Sequence, residues 1–523
     1  MDNHYDAIVI GSGIGGLTVA AMLSRYNRKR VLVLEQHFTA GGLTHCFKRK
    51  SVYLFDVGLH YIGQLQPGTM QRAILDYLTG GGLQWTPMPH VFDCFVYPDI
   101  EFHVPADPAE YRRALQERFP AEAAAIAAYF ADIESTAAWY TMAHMTETFP
   151  WLARKGFDLA LALLGGRARM TTKAYFDSRF RDDKLKALLA SQWGNYGLPP
   201  SQSCFGIHAL IVAHYFKGAA YPVGGARRIF SAILPAIEAN GGEVLTRSRV
   251  DEILVRDGRA CGVRVSDPYK PDRPSREYRA DVIVSDAGAK NTYLRMLPRD
   301  VPIPFRTALE AVKPGYSAVA VYVGFKESPA ALGFKGENYW VYKGYDHDRL
   351  ATEGAWGDFY YLSFASLKDP QARAHTAEII TFTTYEKFAR WRGTDWRRRG
   401  PEYEAFKQRI ADSLLSEVEK RFPGFRGLID YMEVSTPLTV EKFQAGPAGA
   451  FYGLPAVPER IGKPWTRART PVRNLYLTGT DTMSLGIVGA MMGGMKTAAL
   501  LNGALGFPRL MSAVKRAART NRS

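Results

Sequence analysis

The sequence predicts an α/β protein of two interleaved domains, one Rossmann-like and one α+β with a mixed or antiparallel sheet. Three observations predict it. A glycine-rich turn stands between an apolar strand pattern and a helix pattern near residue 10. Nucleotide-binding patterns return in the middle of the chain and again near its end. Between them lie a helical stretch and a run of strand-like segments, so the two domains interleave rather than follow one another.

Residues 5–10, Tyr-Asp-Ala-Ile-Val-Ile, read as a short buried strand, Gly11 to Gly16 as a turn, and Leu17 to Tyr26 as a helix with one apolar face. Arg30 to Glu35 read as a second buried strand, which completes a βαβ unit of about 30 residues. From roughly 105 to 200 the chain turns helical, and a second α/β portion runs from Tyr221 to Asn291. Segments 317–324, 338–342, 359–364 and 378–385 alternate as strands, and a helix follows at about 402–421. The nucleotide-binding pattern returns at Asn474. The expected division is 1–104, 221–300 and 466–523 for the Rossmann-like domain, 105–220 for a helical substrate or membrane-contact region, and 301–465 for the α+β domain.

At 523 residues, with 47% hydrophobic and 22% charged residues, the composition excludes disorder and fibres. Cys46, Cys94, Cys204 and Cys261 are far apart and form no C-x-x-C pair, so neither a metal site nor a disulfide framework is expected. That fits a reducing, cytoplasmic compartment. The opening Met-Asp-Asn-His-Tyr-Asp has no basic and apolar leader pattern, so no cleaved signal is expected.

The net charge of +15 asks for a partner. Nucleic acid is not expected, because no helix-turn-helix, zinc or RNA-binding signature accompanies the charge. An anionic membrane surface suits it better. In 151–170, Trp151, Leu152, Phe157, Leu159, Leu161, Leu163 and Leu164 are flanked by Arg154, Lys155, Arg167 and Arg169. In the tail, Phe507, Leu510, Met511 and Val514 stand among Arg509, Lys515, Arg516, Arg519 and Arg522. Neither segment reaches the ~20 apolar residues of a spanning helix, so both are expected to lie in the interface, peripheral to the inner face of the membrane.

The motif Gly11-Ser-Gly13-Ile14-Gly15-Gly16 follows a strand and opens a helix, and Glu35 ends the next strand 19 residues after Gly16. Each part has a task in holding a dinucleotide. Gly11 permits the tight turn, Gly13 lets backbone approach a pyrophosphate, and Gly16 lets helix and strand pack closely. The helix N-terminus offers free N–H groups to phosphates. Glu35 can accept from ribose hydroxyls and would repel a 2′-phosphate. This motif alone leaves FAD and NAD both open.

The following segment, Glu35-Gln36-His-Phe-Thr-Ala-Gly41-Gly42-Leu43, resembles the flavoprotein family of phytoene desaturases, carotenoid isomerases and amine oxidases. Phe55-Asp56-Val57-Gly58-Leu59-His60-Tyr61 looks like the retinol-saturase and carotenoid-isomerase members in particular, as do Tyr221-Pro-Val-Gly-Gly225 and Gly449-Ala-Phe-Tyr-Gly453. The resemblance covers most of the chain and implies FAD as cofactor. It also implies that Gly41 and Gly42 approach the diphosphate and flavin, that Val250 lies against the adenine, and that Asp481 meets the ribityl hydroxyls. Gly479 precedes that acid, and Gly489 and Ala490 stand where a helix N-terminus faces the flavin. Two departures stand out. Leu43 replaces the basic residue many desaturases carry, and Thr480 separates Gly479 from Asp481.

The implied chemistry is hydride transfer, which the flavin carries. No second glycine fingerprint serves a nicotinamide, so NAD(P)H or another donor or acceptor would act without its own Rossmann domain. An apolar substrate is expected from the aromatic sheet of Tyr316, Tyr322, Phe325, Tyr339, Trp340, Tyr342, Phe359, Tyr360, Tyr361 and Phe364. With the resemblance, the substrate class is a long polyene or acyl lipid whose C=C bond is reduced, introduced or isomerised. His60, His214 and Tyr215 are the acid–base candidates. A fatty-acyl desaturase, a flavin amine oxidase and a non-enzymatic prenyl-lipid carrier are the alternatives, the last disfavoured because both cofactor segments are intact.

Overall fold

The computed structural model describes residues 4–520; residues 1–3 and 521–523, Arg522 among them, lie outside the described part. The first sheet is the parallel platform predicted from the N-terminal unit. Its strands run Glu243–Leu245, Val31–Leu34, His4–Ile10 and Arg276–Ser285, all parallel, with Leu475–Leu477 parallel to Arg276–Ser285 on its free segment. Arg259–Ser266 and Arg249–Arg256 extend it as antiparallel strands. The apolar runs Val31–Leu34 and Ile8–Ile10 are buried throughout, as expected of strands covered on both faces. Helix Ile14–Asn27 covers one face and packs against helix Gly486–Leu501.

Register decides where a ligand can bind. Ile10 pairs with Leu34 and with Ser285, and Ser285 pairs with Leu477, so four parallel strands end at one edge. Gly11, Glu35, Asp286 and Thr478 leave the sheet together there, at the carboxyl edge where open α/β sheets bind their ligands.

The second sheet has the order Ile429–Ser435, Ser317–Phe325, His375–Thr383, Phe359–Ser363, Asn338–Tyr342, Val91–Val96 and Glu101–Pro105. It is antiparallel except where Asn338–Tyr342 runs parallel to Val91–Val96. All four strand segments predicted between 317 and 385 are strands. The expected domain limit at 104 is corrected: Val91–Val96 and Glu101–Pro105 belong to the second sheet, because their partners lie across it rather than in the Rossmann-like sheet. Helix Pro401–Arg421 covers one face, where Val319, Val321, Val323, Tyr360, Leu362 and Leu414 form a core. The other face looks toward the first domain.

The tail also corrects an expectation. Helix Gly506–Thr520 buries Leu510, Met511 and Val514 against the core of the first domain, with Phe507 packed alongside. Its apolar stripe is therefore used within the protein and is not available to a membrane. The segment at 151–164 behaves differently. Helix Trp151–Leu164 has no buried residue, and Leu152, Leu163 and Leu164 are each about three-quarters exposed, at 76%, 79% and 76%. Among the described residues no helix is long and apolar enough to cross a membrane.

Candidate active site

One continuous cavity of about 1170 Å³ runs from the carboxyl edge of the first sheet to the inner face of the second. At the first end its lining includes Gly11, Gly13, Ile14, Glu35, Gln36, Gly42 and Val250. Leu43, Asp481, Gly489 and Ala490 also border it. These were proposed from widely separated motifs, and the fold brings them together. Gly15, Gly16, Gly41 and Gly479 stand just behind and allow the approach. A Cβ on Gly16 would lie 2.3 Å from the Gly11 carbonyl oxygen, and one on Gly15 would lie 2.5 Å from Gly479 Cα. Gly42, at φ +54°, would place a Cβ 2.8 Å from Gly13 Cα, so the two glycine turns close on each other back to back.

The acids at this end are organised by backbone. Glu35 Oε2 accepts from Ser12 N at 3.0 Å and Ser12 Oγ at 2.6 Å, and Oε1 accepts from His37 N at 2.8 Å. Ser12 Oγ in turn accepts from Gly41 N at 2.9 Å, tying the first turn to the second. Asp481 Oδ1 accepts from Leu454 N at 2.8 Å and Oδ2 from Ala289 N at 2.7 Å, so Thr480 displaces the acid from its expected spacing without taking it out of the cavity lining. Leu43 lines the cavity too, and its Cβ would meet a Cβ on Gly58 at 3.0 Å, packing it under the turn that carries His60. The glycine cradle, a helix N-terminus bordering the cavity at Gly13 and an acid at the end of the second strand fit a dinucleotide.

Asp286 was missed from sequence. It follows Ser285 at the strand end, accepts from Gly16 N at 2.9 Å through Oδ2, and lines the cavity. Burial, with Glu35 and Asp481 adding, pushes its carboxyl up to about 7, against the Gly16 N–H that favours the ion.

At the other end the cavity is apolar and aromatic. Alternation sorts the predicted aromatic residues by face. Tyr322, Trp340 and Tyr361 line the cavity, joined by Ile380, Phe382, Phe451 and Tyr452. Tyr339, Tyr360, Phe325 and Phe364 point to the opposite core, and Tyr342 and Phe359 lie in the core beside the helical region. About half of the ten aromatics are core, as strand alternation requires, since a pleated sheet can offer only every second residue to one side.

All three acid–base candidates line the cavity, in different states. His214 accepts from Gly63 N at 2.8 Å through Nε2, and its Nδ1 lies 3.3 Å from Gln64 Oε1, so both nitrogens are engaged in holding a turn. Tyr215 stacks on Tyr61 with centroids 4.5 Å apart, and burial pushes its hydroxyl far above the ordinary range. His60 has its ring edge on Tyr361 and its Nδ1 2.9 Å from Glu378 Oε2. Glu378 was missed as a site residue. Its strand segment Glu378-Ile-Ile-Thr-Phe carries no local sign of it; only the fold buries the side chain, to 3% exposed. Among the described residues no group of His, Cys, Asp and Glu could hold a metal ion.

Residues 14–502 match the family of flavin-containing amine oxidoreductases. The chain is 32% identical to an all-trans-retinol 13,14-reductase of Danio rerio, over 94% of this chain and 84% of that protein. It is 25% identical to prolycopene isomerase 2 of an Oncidium hybrid cultivar, over 97% of this chain and 85% of that protein. In fold it is similar to a putrescine oxidase solved with putrescine, with a TM-score of 0.65 at 14% identity, covering 95% of this chain and 99% of that one. The glycine cradle, the acid-bordered cavity and these likenesses agree: the chain belongs to the flavin-containing amine oxidoreductase family, alongside the retinol saturases and carotenoid isomerases, and FAD is its cofactor.

Proposed function

We propose that this protein is an FAD-dependent oxidoreductase acting on a carbon–carbon double bond of a long apolar polyene of the retinoid or carotenoid type. The observation that carries the reading is the continuity of the cavity. The cofactor cradle shares one cavity with Trp340, Tyr361, Ile380, Phe382, Phe451 and Tyr452, so a flat apolar chain could lie beside the cofactor. The relatives named for retinol and prolycopene support the same substrate class. FAD, when bound and reduced, supplies a hydride. The chain's own residues exclude water through the aromatic lining, stack against the planar substrate, and provide a proton-bearing group at His60. A carrier function without chemistry has no use for the intact glycine cradle.

The test is anaerobic. Reoxidation of the pre-reduced holoprotein by all-trans-retinol or a carotenoid, read from flavin absorbance with the product identified by mass, is the expected result. Bleaching of the oxidised protein by a polyene would instead assign desaturation. Reaction with amines and not with polyenes would overturn the reading.

We propose further that helix Trp151–Leu164 docks this protein on an anionic lipid surface, of the kind a cytoplasmic leaflet presents. Trp151, Leu152, Leu159, Leu163 and Leu164 are exposed on a helix bordered by Arg154, Lys155, Arg167 and Arg169. Apolar side chains so exposed gain roughly 1 kcal/mol or more each on entering the interface. The helix is held by Trp139 Nε1 donating to the Leu161 carbonyl at 3.1 Å, and Thr141, two residues further along the same supporting helix, lines the cavity. Docking there would bring the cavity close to the lipid that holds its substrate. Flotation with vesicles containing phosphatidylserine is expected to capture the protein, and Leu152→Glu with Leu163→Glu to release it. Undiminished capture of that double variant would refute the assignment.

A further inference from the structure

Behind His60, which lines the cavity, lies a buried cluster of charged side chains. Lys368, 4% exposed, donates to the His60 carbonyl at 3.0 Å, Asn338 Oδ1 at 2.7 Å and Ser363 Oγ at 2.6 Å. Three oxygen acceptors match the three N–H groups of an ammonium, and burial, opposed by Glu378, Asp93 and Asp56, brings Lys368 down to about 8, so at neutral pH it is a cation held by neutral oxygens. Its counter-charge is relayed: Asn338 Nδ2 donates to Asp93 Oδ1 at 3.0 Å. Asp93 also accepts from Tyr61 at 3.0 Å and Gln192 at 2.8 Å. Asp56 accepts from Cys46 at 2.9 Å, from Ala226 N at 3.0 Å and from Tyr221. Both aspartates therefore have the donors an ionised carboxylate requires.

Glu378 does not. It stands on the cavity face of its strand, two residues before Ile380, opposite Tyr322 and Ser363 in the neighbouring strands. Its Oε2 lies 2.9 Å from His60 Nδ1, with the Asp56 backbone N–H also acting on the carboxyl, and its Oε1 has no hydrogen-bond partner. A buried carboxylate with one bare oxygen is costly, whereas a protonated carboxyl that donates to the imidazole is satisfied. The groups facing it are His60, Lys368, Asp56, Tyr221, Tyr322 and Tyr361; the Lys368 ammonium and the Asp56 backbone N–H favour its ionisation, and the Asp56 carboxyl repels it. Burial dominates and pushes the Glu378 carboxyl up to about 8. Burial, with Lys368 adding, pushes the His60 imidazole down to about 3. If the Glu378 carboxyl is the donor across the 2.9 Å contact, His60 is a neutral ring with Nδ1 accepting and its proton on Nε2.

Building on the polyene reading above, we propose that Glu378 stores the proton for double-bond reduction and that His60 passes it on. In the step, the His60 Nε2–H bond breaks and a C–H bond forms with the electron pair of the C=C bond. The neighbouring carbon takes the hydride. At the same time the Glu378 O–H bond breaks and an N–H bond forms at His60 Nδ1. The imidazole stays neutral and only changes tautomer, so the barrier of forming an imidazolium beside Lys368 never arises. The charge left behind is a carboxylate on Glu378, which the Lys368 ammonium stabilises. After product leaves, water in the cavity returns a proton through His60. Lys368 is a positioning residue, because it holds the His60 carbonyl and prepares the field for the carboxylate.

Two measurements on the resting holoenzyme need no substrate. Infrared difference spectra, wild type minus Glu378→Gln, are expected to show the carbonyl band of a buried protonated carboxyl at about pH 6 and to lose it by about pH 10. Nitrogen-15 NMR of His60 is expected to show the Nε2–H tautomer. A Glu378 ionised at neutral pH, or a His60 proton on Nδ1, overturns the relay whatever the substrate proves to be. In single-turnover reduction, Glu378→Gln and His60→Gln are expected to slow product formation by about 10²–10⁴-fold with the flavin spectrum retained. Glu378→Gln should also remove the carboxyl's share of the wild-type fall in rate above about pH 8, what is left being that of Lys368, which burial brings down to about 8 as well. A variant that only raises KM and keeps the whole of that alkaline limb would overturn the proposal.

Discussion

Replacing Asp286 by Asn tests whether the cofactor cradle depends on a carboxyl kept protonated. Asp286 touches the glycine turn Gly11 to Gly16: Oδ2 accepts from Gly16 N at 2.9 Å, and a Cβ on Gly479 would fall 2.0 Å from Oδ1. No counter-cation is among the causes that set its acidity, and both other charged groups in that set, Glu35 and Asp481, are acids. Burial and these acids push it up to about 7, so near neutrality the group is evenly divided between acid and ion. A diphosphate beside it raises that value further, and by linkage FAD must bind the protonated form more tightly. Above about pH 7 the FAD dissociation constant of the wild type should therefore rise toward tenfold per pH unit, which is about 1.4 kcal/mol per unit. Asn is isosteric, accepts the same Gly16 N–H and carries no charge, so Asp286→Asn should bind FAD with little pH dependence. It should also be tighter than wild type at about pH 9. The sign for the apoprotein is the same, because a raised carboxyl contributes stability at low pH that is lost as pH climbs through its folded value. Fluorescence titration of apoprotein with FAD from about pH 6 to about pH 9 measures this. A flat wild-type profile, or an Asn variant that binds worse at about pH 6, refutes the reasoning.

Further expectations follow from buried groups away from the cavity. Lys496 on helix Gly486–Leu501 pairs with Glu147 at 2.9 Å, both under 7% exposed, and Glu147 also accepts from Ala468 N and Arg469 N. Lys496→Met leaves that acid buried without its cation and should cost about 3–5 kcal/mol in urea unfolding; a loss under about 1 kcal/mol would show that the two backbone donors suffice. His208 lies between the hydroxyls of Tyr129 at 3.0 Å and Tyr196 at 3.1 Å, and burial pushes it down to about 3. A lowered histidine loses stability as pH falls below its unfolded value near 6.5. Wild type should therefore lose roughly 2 kcal/mol relative to His208→Gln between about pH 6.5 and about pH 5. Parallel curves for the two proteins would mean that His208 is not held neutral.

Local pattern was enough for much of the cofactor end. The run Tyr-Asp-Ala-Ile-Val-Ile, the turn Gly11 to Gly16 and Glu35 are neighbours in sequence, and their spacing follows from the geometry of one βαβ unit. The C-terminal segment around Asp481 and Gly489 was picked out by its resemblance to the flavoprotein family rather than by local spacing. Period-two alternation likewise marked the strands of the second sheet, but alternation says only that two faces differ. It does not say which face meets the cavity, so Tyr339 and Tyr360 read as well as Trp340 and Tyr361 until the sheet was set against helix Pro401–Arg421. The tail shows the same limit: one apolar stripe suits a lipid surface or a protein core equally, and the core of the first domain takes Leu510 and Val514.

The chemistry at the other end of the cavity was decided by tertiary structure alone. Glu378 meets His60 across 318 positions of chain, and Lys368 reaches the His60 carbonyl across 308. In sequence an acid in a strand and a lysine before a turn are ordinary surface residues. They become a proton store and its positioning cation only because burial removes water from all of them together, and desolvation is a property of the packed site rather than of any local motif. The sequence by itself determined that this chain binds FAD on a parallel sheet; what the bound cofactor faces was determined by which residues the two domains enclose between them.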